Sequence, residues 1–412
     1  MKRISSAVLA FLISAMAFGQ KDNRITIGTV DTVSSAILKE QRKILVYVPS
    51  RGGAPVDTAQ RFPVLYLLDG DAHFASVVGM IQQLSQVNSN TVCPEMIVVG
   101  ISNTNRTRDL TPTRLGDDPY LKYLSPAIKT ASGGGEAFLS FLEKELIPHI
   151  DQKYPTQPYK LLMGHSFGGL TALHALTTRT PLFRTYISID PSMWWDNTAY
   201  LKEAKKRLAE KEFSGTTLYL AMARTIDQPM DLKKLRKDTT LETQPMRATL
   251  DLDQFLQSGK GKGLRYASKY YEDHTHNSVP LIAAYDALRF IFADYPLTIT
   301  NSDVLDSTVA FAEKHRQRYQ RISALYGYEV KPPEWETNVW GYRFLQRKQY
   351  RKAEGFFKLN VQLYPNSANV YDSYGDFFVA TGDKAKAIDQ FKKALSLKED
   401  ANTRNKLNKL LE

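Results

Sequence analysis

The sequence predicts an α/β fold followed by an all-helical extension, and three observations lead to this prediction. Strand-like and helix-like patterns alternate as far as Pro296, which is typical of a parallel sheet covered by helices. The segment LLMGHSFGGL resembles a buried strand that turns sharply into a helix. Beyond Pro296 the pattern is helical alone, and similar residues recur 34 positions apart. We therefore expect one sheet-containing domain with a short helical tail.

Ser166 stands at the centre of the pattern GHSFG, with a glycine two positions away on each side. An apolar run, Tyr159–Met163, precedes this pattern, and small residues from Gly168 onward continue it as a helix. Glycines are needed there because side chains would collide with the backbone that lifts the serine into an exposed, strained position. A chance Gly-x-Ser-x-Gly is common in isolation, but this context favours a nucleophile elbow. Ser166 is therefore the predicted nucleophile.

The nucleophile needs a base, and in this kind of site the chain order is nucleophile, acid, histidine. His274 and His276 lie in the polar segment YYEDHTHNSVP, between a predicted strand at Arg265–Tyr271 and an apolar helix at Leu281–Phe292. We favour His276, because the residues that follow it can turn and cap the helix, whereas His274 resembles a solvated neighbour. Two histidines without a third ligand make a poor zinc site. We therefore expect no metal.

The acid that orients the histidine is the least determined member of the site. The buried strand predicted at Thr217–Ala223 leads into a loop that carries Asp227, our first choice, and Asp231, our second. Asp190, which follows the preceding strand Tyr186–Ile189, is the third candidate. Each of these aspartates is alternatively an ordinary loop or capping residue.

An oxyanion hole would stabilise the tetrahedral intermediate through preorganised backbone N–H groups. One donor is expected to be the N–H of Phe167, the residue after the nucleophile. The second is expected from the loop after the apolar strand Val64–Leu68, where Gly70 allows the backbone to turn. We select the main chain of Asp71, although the aspartates of this loop are alternatively turn formers.

These segments together resemble the putative esterase family of α/β-hydrolases, which includes enterochelin esterases, esterase D and feruloyl esterase-type enzymes. The stretches that carry the resemblance are PVLYLLDGDAHF, ISNTNRTRDLTPT, GGGEAFLSFLEKELIPHID, LLMGHSFGGL, YISIDPSMWWD and YYEDHTHNSVPLIAAYDALRFIF. The resemblance implies an α/β-hydrolase fold, a catalytic pair of Ser166 and His276, and a small-molecule ester as substrate. No cofactor is expected. Candidate esters are siderophore lactones and acyl or feruloyl groups on carbohydrate.

Three further residues are candidates for substrate binding. Arg106 follows the apolar strand Met96–Ile101, at the strand end where ligand crevices of open α/β sheets lie. Its alternative role is to pair with its neighbours Arg108 and Asp109 and hold the loop. The other two are Trp194 and Trp195, which are placed to stack an aromatic acyl group or, alternatively, to serve as core or lid residues.

Residues 1–19 have the pattern of a cleavable signal peptide, with Lys2 and Arg3 before a short apolar run and a small-x-small site before Gln20. We expect a periplasmic or secreted protein without a membrane span. The single cysteine, Cys93, excludes an intramolecular disulfide but not export. The net charge of +11 permits attraction to acidic partners but is no evidence of nucleic-acid binding, which we do not expect.

The predicted organisation is a hydrolase domain at 20–296, a helical connector at 297–333 and helical repeats at 334–412. Within the connector, the pattern from Ser302 to Tyr326 predicts one amphipathic helix. In the repeats a glycine, an alanine and two phenylalanines recur 34 residues apart, which resembles tetratricopeptide repeats. Two such units are too few for an independent solenoid, so we expect them to pack on the hydrolase domain. The tail is either a stabilising appendage or a surface for a protein partner or self-association. The alternative function is that of a catalytically weak hydrolase-fold scaffold whose tail binds a protein partner. The intact serine, histidine and elbow glycines disfavour this alternative.

Overall fold

The computed structural model describes residues 25–49, 60–116, 126–226, 230–306, 308 and 310–412. Within these residues the chain forms one eight-stranded sheet with the order β1-β2-β4-β3-β5-β6-β7-β8. Strand β2 runs antiparallel to β1 and β4, and the other neighbouring pairs are parallel. The strands are β1 Thr29–Ser35, β2 Glu40–Tyr47, β3 Phe62–Leu67, β4 Ile97–Ile101, β5 Thr156–His165, β6 Thr185–Ile189, β7 Thr217–Ala223 and β8 Arg265–Tyr271.

Burial along the strands follows their position in the sheet. Every residue of β3, β4, β6 and β7 is buried, as expected for strands covered on both faces. The edge strand β1 alternates between exposed and buried residues, and most of β8 is half-buried. Strand β5, between β3 and β6, is buried from Leu161 to Gly164, just before the turn at Ser166.

Helices cover both faces of the sheet. One face packs against α1, α10 and α12, and the other packs against α4 to α7 and α9. The α-helices are α1 Gly70–Ser85, α2 Arg106–Leu110, α3 Pro126–Ala131, α4 Gly135–Phe141, α5 Ile147–Lys153, α6 Phe167–Thr178, α7 Ala199–Glu210, α8 Leu232–Leu235, α9 Gln244–Phe255, α10 Val279–Ile291, α11 Asn301–Leu305, α12 Phe311–Tyr326, α13 Glu334–Gln346, α14 Tyr350–Leu363, α15 Ala368–Thr381, α16 Lys384–Leu397 and α17 Ala401–Leu411. This arrangement confirms the predicted α/β-hydrolase fold with a helical extension.

The tail forms two helix pairs, α13 with α14 and α15 with α16, and α17 packs on the second pair. The 34-residue repeat has a direct structural counterpart in each pair. A side chain at Gly341 would lie 2.8 Å from the ring of Phe357, and one at Gly375 would lie 2.4 Å from the ring of Phe391. A larger residue at either position would force the phenylalanine ring of the partner helix to shift, so glycine allows the two helices to pack closely. The resemblance to tetratricopeptide repeats stays a prediction.

The single helix predicted between Ser302 and Tyr326 is wrong, because the structure divides it into α11 and α12. Helix α11 begins with a capping box, in which Thr300 and Asp303 each bond the other's backbone N–H. It ends at Leu305, where the following Asp306 adopts an extended conformation. The amphipathic pattern continued across this break and therefore did not reveal it.

Helix α12 joins the tail to the sheet domain. Near its C-terminal end, Ile322 and Tyr326 are buried in the core beneath the sheet, and the Tyr326 ring stacks on Tyr159 at 4.4 Å between ring centroids. Near its N-terminal end, Phe311 is fully buried in the core of the tail. Arg318 donates a 2.5 Å hydrogen bond to the carbonyl of Tyr295. One helix therefore belongs to both hydrophobic cores.

We predict that the tail stabilises the sheet domain. Truncation after Tyr295 should lower the melting temperature, because it exposes the apolar surface that α12 covers. In the full chain, Tyr326→Ala should cost about 3–5 kcal/mol of unfolding free energy, as for other large buried aromatic residues. The matched control Tyr350→Ala, at a side chain that is 41% exposed, should change it by only about 0.5 kcal/mol.

Thermal unfolding gives the melting temperature of the truncated protein, and urea unfolding gives the unfolding free energies of the two variants. Limited proteolysis that quickly releases an intact fragment beginning near Lys331, without changing the stability of the rest, would contradict a docked tail. We expect the truncated protein still to react with a small fluorophosphonate, since none of the described residues after Tyr295 lines the cavity that Ser166 lines.

Candidate active site

Ser166 lies at the sharp turn between β5, which ends at His165, and α6, which begins at Phe167. Its backbone has φ 59° and ψ −117°, a conformation that L-residues rarely adopt. A side chain at Gly164 would lie 2.3 Å from the backbone of Gly168, so the end of the strand and the first turn of the helix are in direct contact. The predicted elbow is therefore formed by close backbone packing in the middle of the sheet.

Hydrogen bonds to the neighbouring strand hold this turn. The N–H of Ser166 donates to the carbonyl of Ile189 at the end of β6, and the carbonyl of Ser166 accepts from the N–H of Ser192 at 3.2 Å. The hydroxyl of Ser166 lies 3.3 Å from that of Ser192, which is buried. Ser192 was not among the predicted site residues, although its place just after a strand in the segment IDPS is a signal that could have found it.

His276 lies in the turn that connects β8 to α10. The N–H of Thr275 donates to the Ser278 hydroxyl at 2.9 Å, and the N–H of Arg224 donates to the His274 carbonyl, which ties the turn to the end of β7. His276 and Ser166 line the same cavity, which has a volume of about 300 Å³. The structure therefore brings together the predicted nucleophile and the predicted base.

The carboxylate that contacts the imidazole ring of His276 is that of Asp190. Its Oδ2 lies 2.6 Å from Nδ1 of His276, and its Oδ1 accepts a 2.9 Å hydrogen bond from the N–H of Ala223. Asp190 directly follows β6, has a φ of 40° and is 6% exposed. With Nδ1 as the donor to Asp190, the other ring nitrogen of His276 is the one left to act as a base.

Asp231, the second choice for the acid, has a different role. Asp231 is the N-cap of α8, where its Oδ1 accepts hydrogen bonds from the N–H groups of Lys233 and Lys234. Its carboxylate satisfies helix N–H groups that would otherwise lack partners. Asp227 lies outside the described residues. The structure thus favours Asp190, the third candidate from the sequence, over Asp231.

The first turns of two helices meet beside the elbow. Helix α1 begins at Gly70 after Asp69, whose left-handed conformation has a φ of 53°. A side chain at Gly168 would lie 3.3 Å from Oδ2 of Asp69, so the start of α1 lies against the start of α6. The first N–H groups of a helix have no acceptor within the helix. The N–H groups of Phe167 and Asp71, each in the first turn of its helix, stay the predicted oxyanion donors.

Arg106 connects these two helix starts. Its Nε and Nη2 donate hydrogen bonds of 2.6 and 2.9 Å to the two carboxylate oxygens of Asp69, and Nη2 lies 3.4 Å from the carbonyl of His165. The guanidinium lies 5.3 Å from the ring centroid of Phe167. Burial alone would raise the pKa of the Asp69 carboxyl, but the hydrogen bonds and charge of Arg106 hold it below its usual value.

The structure therefore gives Arg106 a bidentate partner that the sequence did not identify. The alternative prediction was that the charged residues of this loop pair with each other, and this holds for Arg108 and Asp109. Arg108 also pairs with Glu40, and Asp109 also pairs with Arg42. Arg106 stays outside that network. About a third of its side chain is exposed, so a contact with substrate stays a prediction.

The two tryptophans differ in their surroundings. Trp194 is half-buried and lines the cavity with Ser166. Trp195 is fully buried, its Nε1 donates to the carbonyl and hydroxyl oxygens of Thr113, and its ring packs edge-on against Phe167. A residue that is 0% exposed cannot stack a ligand. The structure therefore places Trp195 in the core, whereas Trp194 keeps its predicted place at the cavity wall.

Among the described residues, no three histidine, cysteine or acidic side chains are placed to share a metal ion. In the same part of the chain, no helix has the length and apolar character needed to cross a membrane.

This chain is similar in sequence to known esterases. Residues 35–252 match the model of a family described as "Putative esterase". The chain is 27% identical over 253 residues to the "Siderophore triacetylfusarinine C esterase" of Aspergillus fumigatus, a match that covers 57% of this chain and 82% of that protein.

Solved structures are also similar to this one. An IroE-like serine hydrolase from Shewanella oneidensis is 29% identical with a TM-score of 0.68, over 82% of this chain and 99% of that chain. An uncharacterised protein from Capnocytophaga ochracea has a TM-score of 0.62 at 18% identity, over 93% of this chain and 99% of that one. The second likeness concerns the fold alone and extends to nearly the whole chain.

Proposed function

Because this chain belongs to the putative esterase family and is a carboxylic ester hydrolase, we propose that it hydrolyses siderophore esters with Ser166, His276 and Asp190 as its catalytic residues. The observation that carries the proposal is the 2.6 Å contact between Asp190 and His276, beside a serine held in a strained turn. An aspartate on one ring nitrogen of a histidine, with a serine in the same cavity, has the chemistry of a serine-hydrolase triad.

In the proposed reaction, the hydroxyl oxygen of Ser166 attacks the ester carbonyl carbon, and His276 takes the hydroxyl proton. The carbonyl oxygen becomes an oxyanion that accepts hydrogen bonds from the N–H of Phe167 and an N–H at the start of α1. The carbon–oxygen bond to the alcohol then breaks, and His276 gives its proton to the leaving alkoxide. This step leaves an acyl group on Ser166.

Water completes the cycle through the same groups. His276 takes a proton from the water, whose oxygen attacks the acyl carbon, and returns it to Ser166 when the acid leaves. Asp190 stays ionised and stabilises the imidazolium that forms twice in each cycle. The chain supplies each of these groups, so the proposed mechanism uses no cofactor.

A siderophore as substrate is supported by the relative from Aspergillus fumigatus, which is named for a siderophore. The alternative substrates from the sequence, acyl or feruloyl esters of carbohydrate, serve as competitors in the test. We also propose that the protein is exported, because residues 1–19 have the pattern of a cleavable leader. These residues lie outside the described part of the chain.

Labelling and hydrolysis together test the proposal. The purified protein should form a stable adduct with a fluorophosphonate, and peptide mass spectrometry should place this adduct on Ser166. It should hydrolyse a siderophore ester with a higher kcat/KM than a feruloyl ester, with Ser166→Ala as the control for both assays. A protein that is not labelled is not a serine esterase of this kind, whereas a labelled protein that prefers the feruloyl ester has a different substrate.

A further inference from the structure

One short segment after β6 contacts both members of the proposed catalytic pair. Its first residue, Asp190, lies 2.6 Å from Nδ1 of His276. Two positions further along the chain, Ser192 contacts Ser166 twice. Its N–H donates to the carbonyl of Ser166 at 3.2 Å, and its hydroxyl oxygen lies 3.3 Å from Oγ of Ser166. The proposed mechanism uses the contact with the histidine but gives no role to the contact with the nucleophilic oxygen.

The hydroxyl of Ser192 has a fixed place in the structure. Ser192 is 3% exposed, and its carbonyl accepts a 3.1 Å hydrogen bond from the N–H of Trp195, which is fully buried. The residue before it, Pro191, packs on α6, where a side chain at Gly169 would lie 3.1 Å from Cα of Pro191. Since the main chain is held on both sides, the hydroxyl of Ser192 stays beside the cavity wall that it shares with Ser166.

The direction of the hydrogen bond between the two serines follows from a count of donors and acceptors. A hydroxyl has one proton to donate and two lone pairs that accept. Among the described residues, the hydroxyl of Ser192 bonds that of Ser166 alone, and a buried donor without an acceptor is costly. The proton of Ser166 has another acceptor in the proposed mechanism, which is His276. Both protons therefore have an acceptor when Ser192 donates to Oγ of Ser166.

This donation determines how the nucleophilic oxygen is oriented. The oxygen of Ser166 has four tetrahedral directions, of which one is the bond to Cβ and one carries the proton that His276 takes. A third direction is the lone pair that accepts from Ser192. The remaining lone pair is the one that attacks the ester carbonyl carbon, so its direction is set once the other three are fixed. Such alignment contributes to rate because a misdirected lone pair rarely reaches the carbon.

The length of the bond indicates when it acts. A hydroxyl–hydroxyl bond is typically about 2.7–2.8 Å long, so the 3.3 Å bond to Ser166 is weak in the resting site. Oγ gains negative charge as its proton moves to His276, and again when the acyl group leaves it. Hydrogen bonds to a charged oxygen are shorter and stronger than those to a neutral one. The interaction is therefore stronger in the transition states than in the resting site, which is the condition for raising the rate.

We propose that Ser192 is a positioning residue whose hydroxyl donates to Oγ of Ser166 during both the attack on the ester and the release of the acid. Ser192 keeps its own proton throughout, and the proton that moves is the one exchanged between Ser166 and His276. The inference rests on the proposed function, because it requires Ser166 to be the nucleophile.

A pair of serine variants in the full-length protein tests the role. Ser192→Ala should lower kcat/KM for p-nitrophenyl acetate, and the rate constant for labelling by a fluorophosphonate, by about tenfold each, as expected for one lost hydrogen bond. Ser188→Ala is the matched control, since Ser188 is also buried and its hydroxyl donates to the carbonyl of Gly169 at 3.0 Å rather than to Ser166. Both rates should stay close to wild type in this control.

Two further readouts separate positioning from general damage to the segment. The midpoint of the pH profile of kcat/KM should be the same in Ser192→Ala as in wild type, because the substitution leaves Asp190 in contact with His276. Ser192→Thr restores the hydroxyl and should recover most of the lost rate. Circular dichroism checks that each variant is folded.

Four outcomes would overturn the inference. They are a wild-type rate in Ser192→Ala, an equal loss in Ser188→Ala, a moved midpoint that reveals a displaced Asp190, and a folded Ser192→Thr protein as slow as Ser192→Ala. Failure of the proposed function has a different signature, since the wild-type protein itself would then not be labelled. If the wild type is labelled on Ser166 and Ser192→Ala reacts at the same rate, the role of Ser192 alone is wrong.

Discussion

Ser166→Ala and His276→Ala should each lower kcat/KM for the best ester by about a thousandfold or more without unfolding the protein. The serine variant lacks the atom that forms the bond to the acyl carbon, and the histidine variant lacks the group that moves the proton. Because both residues lie in turns at strand ends, removal of their side chains leaves the sheet intact. Steady-state kinetics and circular dichroism of the two variants measure the two expectations separately.

His274→Ala is the matched control, since His274 is half-buried in the same turn as His276 and its main-chain carbonyl, which the substitution keeps, makes the bond to Arg224. We expect this variant to keep most of the wild-type activity. A Ser166→Ala protein that retains more than roughly a tenth of the wild-type kcat/KM would show that another group is the nucleophile. Equal losses in the His274 and His276 variants would instead point to damage to the turn.

Asp190→Asn should slow ester hydrolysis by about a hundredfold or more, because an amide cannot stabilise the imidazolium of His276 as a carboxylate does. The substitution keeps the size of the side chain and an oxygen able to accept from the N–H of Ala223, a bond that Asp190 makes at 2.9 Å. The loss should therefore appear mainly in kcat. A double variant with His276→Ala tests this, since the Asp190 substitution should have little further effect once the histidine is absent.

Asp231→Asn is the matched control for the same chemical change. Asp231 caps α8, and asparagine caps a helix about as well as aspartate, so both activity and melting temperature should stay close to wild type. A loss of activity in the Asp231 variant as large as in the Asp190 variant would contradict the assignment of the acid. Full activity of the Asp190 variant would indicate that Ser166 and His276 work as a pair.

The boundaries of the main elements could be predicted because their signals are local. Strands β7 and β8 begin and end where the apolar and strand-like runs of the sequence do. The turn at Ser166 could be predicted because only glycine at position 164 tolerates the close approach of the backbone of Gly168. The capping box of α11 is also a local signal, yet the longer amphipathic pattern around it concealed the break.

The chemistry of the elbow and the helical tail were determined by the sequence alone, since each depends on residues that are close together in the chain. The choice of a histidine that follows the serine depended on the chain order typical of such sites. Only the tertiary structure decided three other features: which carboxylate contacts His276, which residue pairs with Arg106, and that Trp195 is buried. Asp190 lies 86 positions from His276, and their contact arises because β6, β7 and β8 end side by side. Such a contact depends on the order and register of strands, which no local pattern encodes.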